Sequence, residues 1–240
     1  MDADLAYALE LADAADALTL PRFRAADLHV EAKTDLSPVT DADRATERLL
    51  RERIARDRPG EGVLGEEEGD DGGSVRWILD PIDGTRNFSR GIPVWATLIA
   101  LERAGGVVCG VVSAPALGRR WWAARGAGAF ANGEPVTVSS VETLAGATVS
   151  CTYARDLAVL EPLVWHARGL GDFWQHVLVA EGALDAAVDT ELALWDRAAL
   201  EPIVLEAGGQ IGELGGQFVA ANGELYDEVV GALTARTAAS

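Results

Sequence analysis

The sequence predicts a mixed α/β protein, on three observations. The chain opens with a helical pattern, strand-like segments follow one another from Val94 to Val138, and strands alternate with helices after Ser139-Ser140. The opening helix is carried by Leu5, Leu9, Ala12, Ala15 and Leu18, which fall on one face, with acids on the other, until Pro21. Thr40 followed three residues on by Asp43 reads as a capping box with Asp in place of Glu, and Ala45, Leu49, Leu50 and Ile54 continue that helix to Pro59-Gly60. Val63-Leu64 and Trp77-Ile78-Leu79 are short apolar runs ending abruptly in acids, as strands do where they deliver side chains to a site; Glu66 and Asp80 are those side chains.

Segments 96–101, 107–112, 120–123 and 136–138 are expected as strands of a mostly antiparallel meander, with turns at Gly105-Gly106, Gly118 and Asn132-Gly133. Beyond it the sequence predicts a strand over 147–151, helices over 157–166 and 173–182, and a strand over 183–188. A helix over 197–207, closed by Gly208-Gly209, and a final strand over 210–214 complete the reading. The change of rhythm divides the chain near Val141 into an α+β half, 1–140, and an α/β half, 141–240.

At 240 residues the chain is long enough for a substantial core, and 49% hydrophobic against 24% charged residues is a globular composition. Lys+Arg 20 against Asp+Glu 38 gives 20 − 38 = −18, a field that repels nucleic-acid phosphates and anionic lipid headgroups, so neither is an expected partner. Two cysteines, Cys109 and Cys151, match no zinc spacing and no disulfide framework, and the acids Asp2, Asp4, Glu10, Asp13 and Asp16 precede the first basic residue, Arg22. With no apolar stretch near the roughly 18 residues of a spanning helix, the expectation is a soluble, reduced, cytoplasmic protein.

The informative segment is Trp77 to Phe88, Trp-Ile-Leu-Asp-Pro-Ile-Asp-Gly-Thr-Arg-Asn-Phe, preceded by Gly65-Glu66-Glu67-Glu68. Asp80 and Asp83 flank Pro81 at the end of a buried strand, so both carboxylates can face one point, with the Ile82 carbonyl free to join them. Such hard oxygen donors suit Mg²⁺, which takes one or two carboxylates, substrate phosphate and water at about 2.1 Å. Several carboxylates suggest more than one ion. Gly84-Thr85 leads into a helix start, where backbone N–H groups favour a phosphate oxygen. The alternative is an ordinary Asp/Pro/Gly turn with solvated acids. Against it stands the gathering of acids, with Glu66 ending a neighbouring strand and Asp196 following Trp195: two like charges 4 Å apart cost about 4 kcal/mol at an effective dielectric of 20.

These residues resemble the inositol monophosphatase family of Mg²⁺-dependent phosphatases. Gly65 to Glu67 and Trp77 to Phe88 match its first signature, and Trp195-Asp196 with Glu206 to Gly209 its second, the likeness running from about Thr40 to Gly209. The resemblance implies a layered αβαβα sandwich of the sugar-phosphatase type and a homodimer. It implies two or three Mg²⁺ per site on Glu66, Asp80, the Ile82 carbonyl, Asp83 and Asp196, phosphate-binding amides at Gly84 and Thr85, and Asp43 with Thr85 activating the attacking water. Glu66 is thereby counted with the catalytic residues. The alternatives leave Asp43 a capping acid, Asp196 an N-cap, Thr85 a turn residue, and Glu67 and Glu68 solvated neighbours. His29, His166 and His176 lack ligand spacing and no Ser or Cys sits in a nucleophile elbow, so they read as surface or packing residues; Trp121, Trp122 and Trp174 read as core.

Arg86 after Asp-Gly-Thr, Gly171-Asp172 before Leu178 to Gly182, and the stretch Arg90 to Leu98 resemble the histidinol-phosphatase branch, which implies histidinol phosphate as the phosphate monoester. Its ammonium and imidazole would be drawn to acids, for which Asp172, Asp189 and Glu191 are candidates, with Arg86 beside them. Asp189 also matches the acid that contacts polyol hydroxyls in inositol phosphatases, and carboxylates bind both partners. Inositol phosphate or a broader range of sugar phosphates is therefore the second reading, and a noncatalytic cation-binding protein of the same fold the third. For the recognition acids the alternatives are a cap of the following helix by Asp172 and a solvated Asp189.

Overall fold

The computed structural model describes residues 2–104 and 106–237. Helix α1 (Ala3–Arg22) carries Leu5, Ala8, Leu11, Ala12 and Ala15 on one buried face and holds Pro21 in its last turn. After a hairpin of β1 (Val30–Ala32) and β2 (Pro38–Thr40) comes α2 (Asp41–Asp57), opened by the predicted capping box. In it the Thr40 N–H donates to Asp43 Oδ2 at 2.8 Å, and the Asp43 N–H to the Thr40 hydroxyl at 3.4 Å. Strands β3 (Gly62–Gly65), β4 (Gly69–Asp70) and β5 (Val75–Asp83) lead to the short helix α3 (Thr85–Ser89). The meander is β6 (Ala96–Arg103), β7 (Gly106–Ala114), β8 (Arg119–Ala124), β9 (Ala129–Ala131) and β10 (Glu134–Val136). These strands form one sheet of eight in the order β10-β9-β8-β7-β6-β5-β3-β4, with only β3 and β5 parallel.

The second sheet has the order β12-β11-β13-β15-β14 and is built from β11 (Thr148–Cys151), β12 (His166–Arg168), β13 (Ala186–Thr190), β14 (Gly209–Leu214) and β15 (Gln217–Asn222). Its helices are α4 (Ala154–Leu160), α5 (Asp172–Ala180), α6 (Leu194–Arg197), α7 (Leu200–Glu206) and α8 (Tyr226–Thr237). Alternation along the strands sets the layers. Trp77, Leu79, Ile99, Leu101 and Val111 face α1 and α2. Ile78, Leu98, Ala100, Val112 and Trp121 face α5 and α7 through Phe173, Val177, Leu200 and Ile203. The second sheet covers the far side of α5, and its outer face packs Val149, Val188 and Val219 against Leu160 of α4 and Leu225, Val229 and Leu233 around α8. The result is the expected αβαβα order, with two double-sided sheets separated by a helical layer.

Four expectations need correction. The helix expected over 157–166 occupies Ala154–Leu160, because Pro162 cannot continue it and the chain passes through a 3₁₀ turn into β12, whose His166 pairs in parallel with Thr148. The segment over 210–214 is not the last: β15 and α8 follow, and β15 inserts between β13 and β14. The strand expected over 136–138 ends at Val136 and pairs with β9 in a hairpin about Asn132-Gly133, while the Val138 N–H donates to the Ala207 carbonyl at 3.0 Å. The helix expected over 197–207 is two short ones, α6 and α7. Of the expected Gly105-Gly106 turn, Gly105 lies outside the described residues.

Candidate active site

Asp80 and Asp83 reach a common point because β5 bulges, not because it turns. Asp80 pairs with Leu98 and Asp83 with Ala96, so one extra residue is inserted opposite β6 beside Pro81, which has no N–H to give the ladder. The freed Pro81 carbonyl accepts from the Thr97 hydroxyl at 2.8 Å, and Asp80 Oδ1 accepts from the Ile82 N–H at 3.0 Å. Asp83 Oδ2 accepts the Phe173 N–H at 2.6 Å, so an acid from the first sheet caps α5 at the start of the helical layer. Asp196 is the third residue of α6 and accepts the Ala193 N–H at 2.8 Å; it caps from inside the helix, not as the N-cap residue.

One oxygen from each of Asp80, Asp83 and Asp196 lies within 4.8 Å of the others. Burial, reinforced by mutual repulsion, pushes the carboxyls of Asp80 and Asp83 well up and that of Asp196 to about 7. Among the described residues no Lys or Arg pairs with any of the three. Clustered, hard, uncompensated oxygens fit a divalent cation such as Mg²⁺ better than any protein partner present.

Glu66 is placed differently. It follows β3 and its N–H donates to the Leu79 carbonyl at 3.3 Å, but its carboxylate is held by Lys33 Nζ at 2.7 Å, and the same ammonium reaches Glu67 Oε1 at 2.6 Å. Burial works against the Lys33 charge, and the two glutamates more than restore it. Glu67 is therefore a paired, half-buried residue and not a solvated neighbour, whereas Glu68 is exposed. The loop is propped by Glu47, a residue the sequence reading passed over. Fully buried on α2, Glu47 accepts the N–H groups of Glu67 at 2.7 Å and Glu68 at 2.9 Å, and a Cβ on Gly65 would collide with its carboxylate. Its place four residues after Asp43, on the same helix face, was the available signal.

Asp43 is fully buried, and burial with Glu67 and Glu66 nearby pushes its carboxyl to about 7, although the Thr40 hydrogen bonds oppose this. Its free oxygen, Oδ1, lies 3.2 Å from the Thr85 hydroxyl, so capping and a link to Thr85 coexist. Gly84, at φ 82°, adopts the left-handed conformation that starts α3, and the N–H groups of Gly84 and Thr85 lie at that start. A cavity of about 320 Å³ opens here, lined by Glu66, Gly84, Thr85, Arg86, Asn87 and Asp172 among others.

A second cavity of about 240 Å³ joins Asp83 and Asp196 to the expected recognition acids Asp172, Asp189 and Glu191, and Arg86 lines both. Asp172 does not cap α5: its Oδ2 accepts from Asn87 Nδ2 at 3.2 Å. Asp189 is buried, not solvated, and accepts from the Thr152 hydroxyl at 2.7 Å and Gln175 Nε2 at 3.3 Å. Burial raises both carboxyls, that of Asp189 to about 6. Glu191 and Arg86 are exposed at the rim. His29 is on the surface, His166 is half-buried in β12, and His176 is fully buried against Phe218, with neither ring nitrogen hydrogen-bonded among the described residues.

The family model described as "Inositol monophosphatase family" matches residues 1–239. Relatives named histidinol-phosphatase are 51% identical in Mycobacterium tuberculosis, covering 97% of this chain and 98% of the relative, and 47% identical in Streptomyces coelicolor, covering 97% of each. A protein of Rhizobium meliloti named inositol-1-monophosphatase is 37% identical over 76% of this chain and 74% of its own. Among solved structures, the IMPase of Thermotoga maritima superposes with a TM-score of 0.90 at 31% identity, covering 97% of both chains. The layered fold, the aspartate cluster beneath a polar cavity and a match over nearly the whole length agree: this chain belongs to the inositol monophosphatase family.

Proposed function

We infer that the chain is a Mg²⁺-dependent phosphomonoesterase that hydrolyses histidinol phosphate to histidinol and phosphate. The observation that carries this is near-full-length identity of 51% and 47% with proteins named histidinol-phosphatase, in a chain that retains acids both at the convergent cluster and along the adjoining cavity. Glu66, Asp80, the Ile82 carbonyl, Asp83 and Asp196 are the oxygens that would hold two or three ions. Bound there, Mg²⁺ supplies charge neutralisation for the phosphoryl group and the leaving oxygen.

The chain's own residues do the rest. The N–H groups of Gly84 and Thr85 at the start of α3 bind a phosphate oxygen. The Thr85 hydroxyl orients the attacking water, and Asp43, whose Oδ1 faces that hydroxyl, takes up its proton. Attack in line with the leaving oxygen needs no covalent phosphoenzyme. Asp172 and Asp189 face the cationic end of the alcohol, with Glu191 and Arg86 at the rim.

The second reading is an inositol monophosphatase, favoured by Asp189, whose carboxylate can equally accept polyol hydroxyls. Comparing kcat/KM on histidinol phosphate and inositol 1-phosphate decides, with histidinol phosphate expected to be preferred; preference for the inositol ester reverses the ranking. Absence of Mg²⁺-dependent turnover on both would favour the noncatalytic reading, against which the Asp43–Thr85 contact stands. We also propose a cytoplasmic homodimer, the location supported by two free buried cysteines and the absence of nucleic-acid and membrane partners by the net charge of −18.

A further inference from the structure

We propose that Gln175 is a positioning residue for substrate recognition: together with Thr152 it turns the Asp189 carboxylate so that one open acceptor faces the alcohol end of the phosphate ester. The proposal rests on the reading of Asp189 given above and adds to it a buried residue that belongs to none of the metal or phosphate motifs.

Ser150, Gln175, Thr152 and Asp189 form a hydrogen-bonded chain whose direction is fixed. The Leu170 N–H donates to Ser150 Oγ at 3.1 Å, which leaves the Ser150 proton for Gln175 Oε1 at 2.8 Å. The carboxamide cannot be turned over, because its Nε2 lies 3.2 Å from the Val188 carbonyl, which only accepts. Nε2 also donates to the Thr152 hydroxyl at 2.9 Å, and the proton of that hydroxyl therefore goes to Asp189 Oδ2 at 2.7 Å. Every donor in the chain points toward Asp189. Its Oδ2 further receives Nε2 at 3.3 Å, and its Oδ1 receives the Thr190 N–H at 2.8 Å. A carboxylate has about four lone-pair positions, so one is left, on Oδ1, in a residue that lines the 240 Å³ cavity. Asp189 is thus presented as a pure acceptor, matched to an ammonium, an imidazole N–H or a hydroxyl of the alcohol.

Packing alone does not call for a carboxamide at this place. Ser150 and Gln175 are fully buried, while Phe173, Val177 and Val179 on the same helix are buried and apolar. A Met of similar volume would fill the position without having to find polar partners, whereas the amide is tolerable there only because each of its atoms is satisfied. What the amide adds is therefore orientation, and it acts on both recognition acids. Leu170 lies between β12 and α5, in the segment that leads into Asp172, so the chain that ends on Asp189 begins beside the other acid of the cavity.

The test is a double-mutant cycle: steady-state kinetics on histidinol phosphate at saturating Mg²⁺ for the wild type, Gln175→Met, Asp189→Ala and the double variant. Gln175→Met should raise KM about fivefold, the scale of one net hydrogen bond, with kcat within about twofold of the wild type. In the Asp189→Ala background the same substitution should leave KM unchanged, because nothing remains to be positioned. A rise of equal size in both backgrounds would assign Gln175 to the scaffold and overturn the proposal, as would a wild-type KM in Gln175→Met or a loss confined to kcat. Should thermal unfolding show that Gln175→Met does not fold, Ser150→Ala carries the same cycle: it removes the hydroxyl that orients the carboxamide, and its rise in KM must likewise vanish with Asp189→Ala. If the wild type does not hydrolyse histidinol phosphate, or Asp189→Ala alone leaves KM unchanged, the reading of Asp189 fails first and takes this inference with it, an outcome distinct from an Asp189 that works without Gln175.

Discussion

The Thr85 hydroxyl lies 3.2 Å from Asp43 Oδ1 and 2.9 Å from the Ile82 carbonyl, tying the start of α3 to the end of β5 and to the first turn of α2. A hydroxyl has one proton and two lone pairs, so it can donate to one of these oxygens and still accept from a water. Thr85→Ser should keep most activity, whereas Thr85→Ala should lower kcat by about 10²-fold or more, the usual worth of a positioned proton-transfer group, with little change in KM. Steady-state kinetics on the phosphate ester provide the check, and an Ala variant as active as Ser would remove Thr85 from the reaction.

Asp83→Asn should separate stability from function. The amide oxygen can still accept the Phe173 N–H, and loss of one charge relieves repulsion from Asp172 and Asp196. Thermal unfolding in chelator is expected at the wild-type temperature or above it, while the Mg²⁺-induced rise in Tm and the activity are both lost. A variant that keeps the Mg²⁺ response would show that Asp83 holds no ion.

Asp172→Asn addresses the alcohol end of the substrate. Its carboxylate is fixed by Asn87 and faces the second cavity, so neutralising it should raise KM for histidinol phosphate about tenfold, the scale of one charge-assisted contact, and change KM for a neutral alcohol's phosphate much less. Equal effects on both esters would assign Asp172 to the phosphate end or to the scaffold.

His176 makes acid stability a test of packing. Burial alone pushes its imidazole down to about 3, against about 6.5 in an unfolded chain. Below pH 6.5 the unfolded state takes a proton that the native state refuses, so stability is lost as pH falls from 6.5 toward 3. Against His176→Leu, the wild type should lose about 2 kcal/mol between pH 7 and pH 5. Urea unfolding at both values measures this, and a pH-independent difference would mean that the ring titrates in the native state as it does in the unfolded chain.

Much of the fold was legible because local pattern and burial agree. The helix through Ala12 and Ala15, the Thr40–Asp43 box and the alternation of Trp77, Ile78 and Leu79 each appear where periodicity places them. The misplaced elements are those decided by long-range pairing. Segment 166–168 carries no strand signal of its own and becomes β12 because β11 offers a parallel edge, and β15 takes its place between β13 and β14 only once both exist.

The site divides the same way. The residues of Asp-Pro-Ile-Asp-Gly-Thr are adjacent in sequence, so their shared chemistry is written in one short segment. That Asp196 joins Asp80 and Asp83, that Asp83 caps a helix from the other half of the chain, that Glu47 props the Glu66 loop and that Lys33 claims its carboxylate depend on partners tens of residues apart. A one-dimensional pattern records what each residue can offer; which offers meet is fixed only when the layers pack and burial makes an unmatched charge expensive.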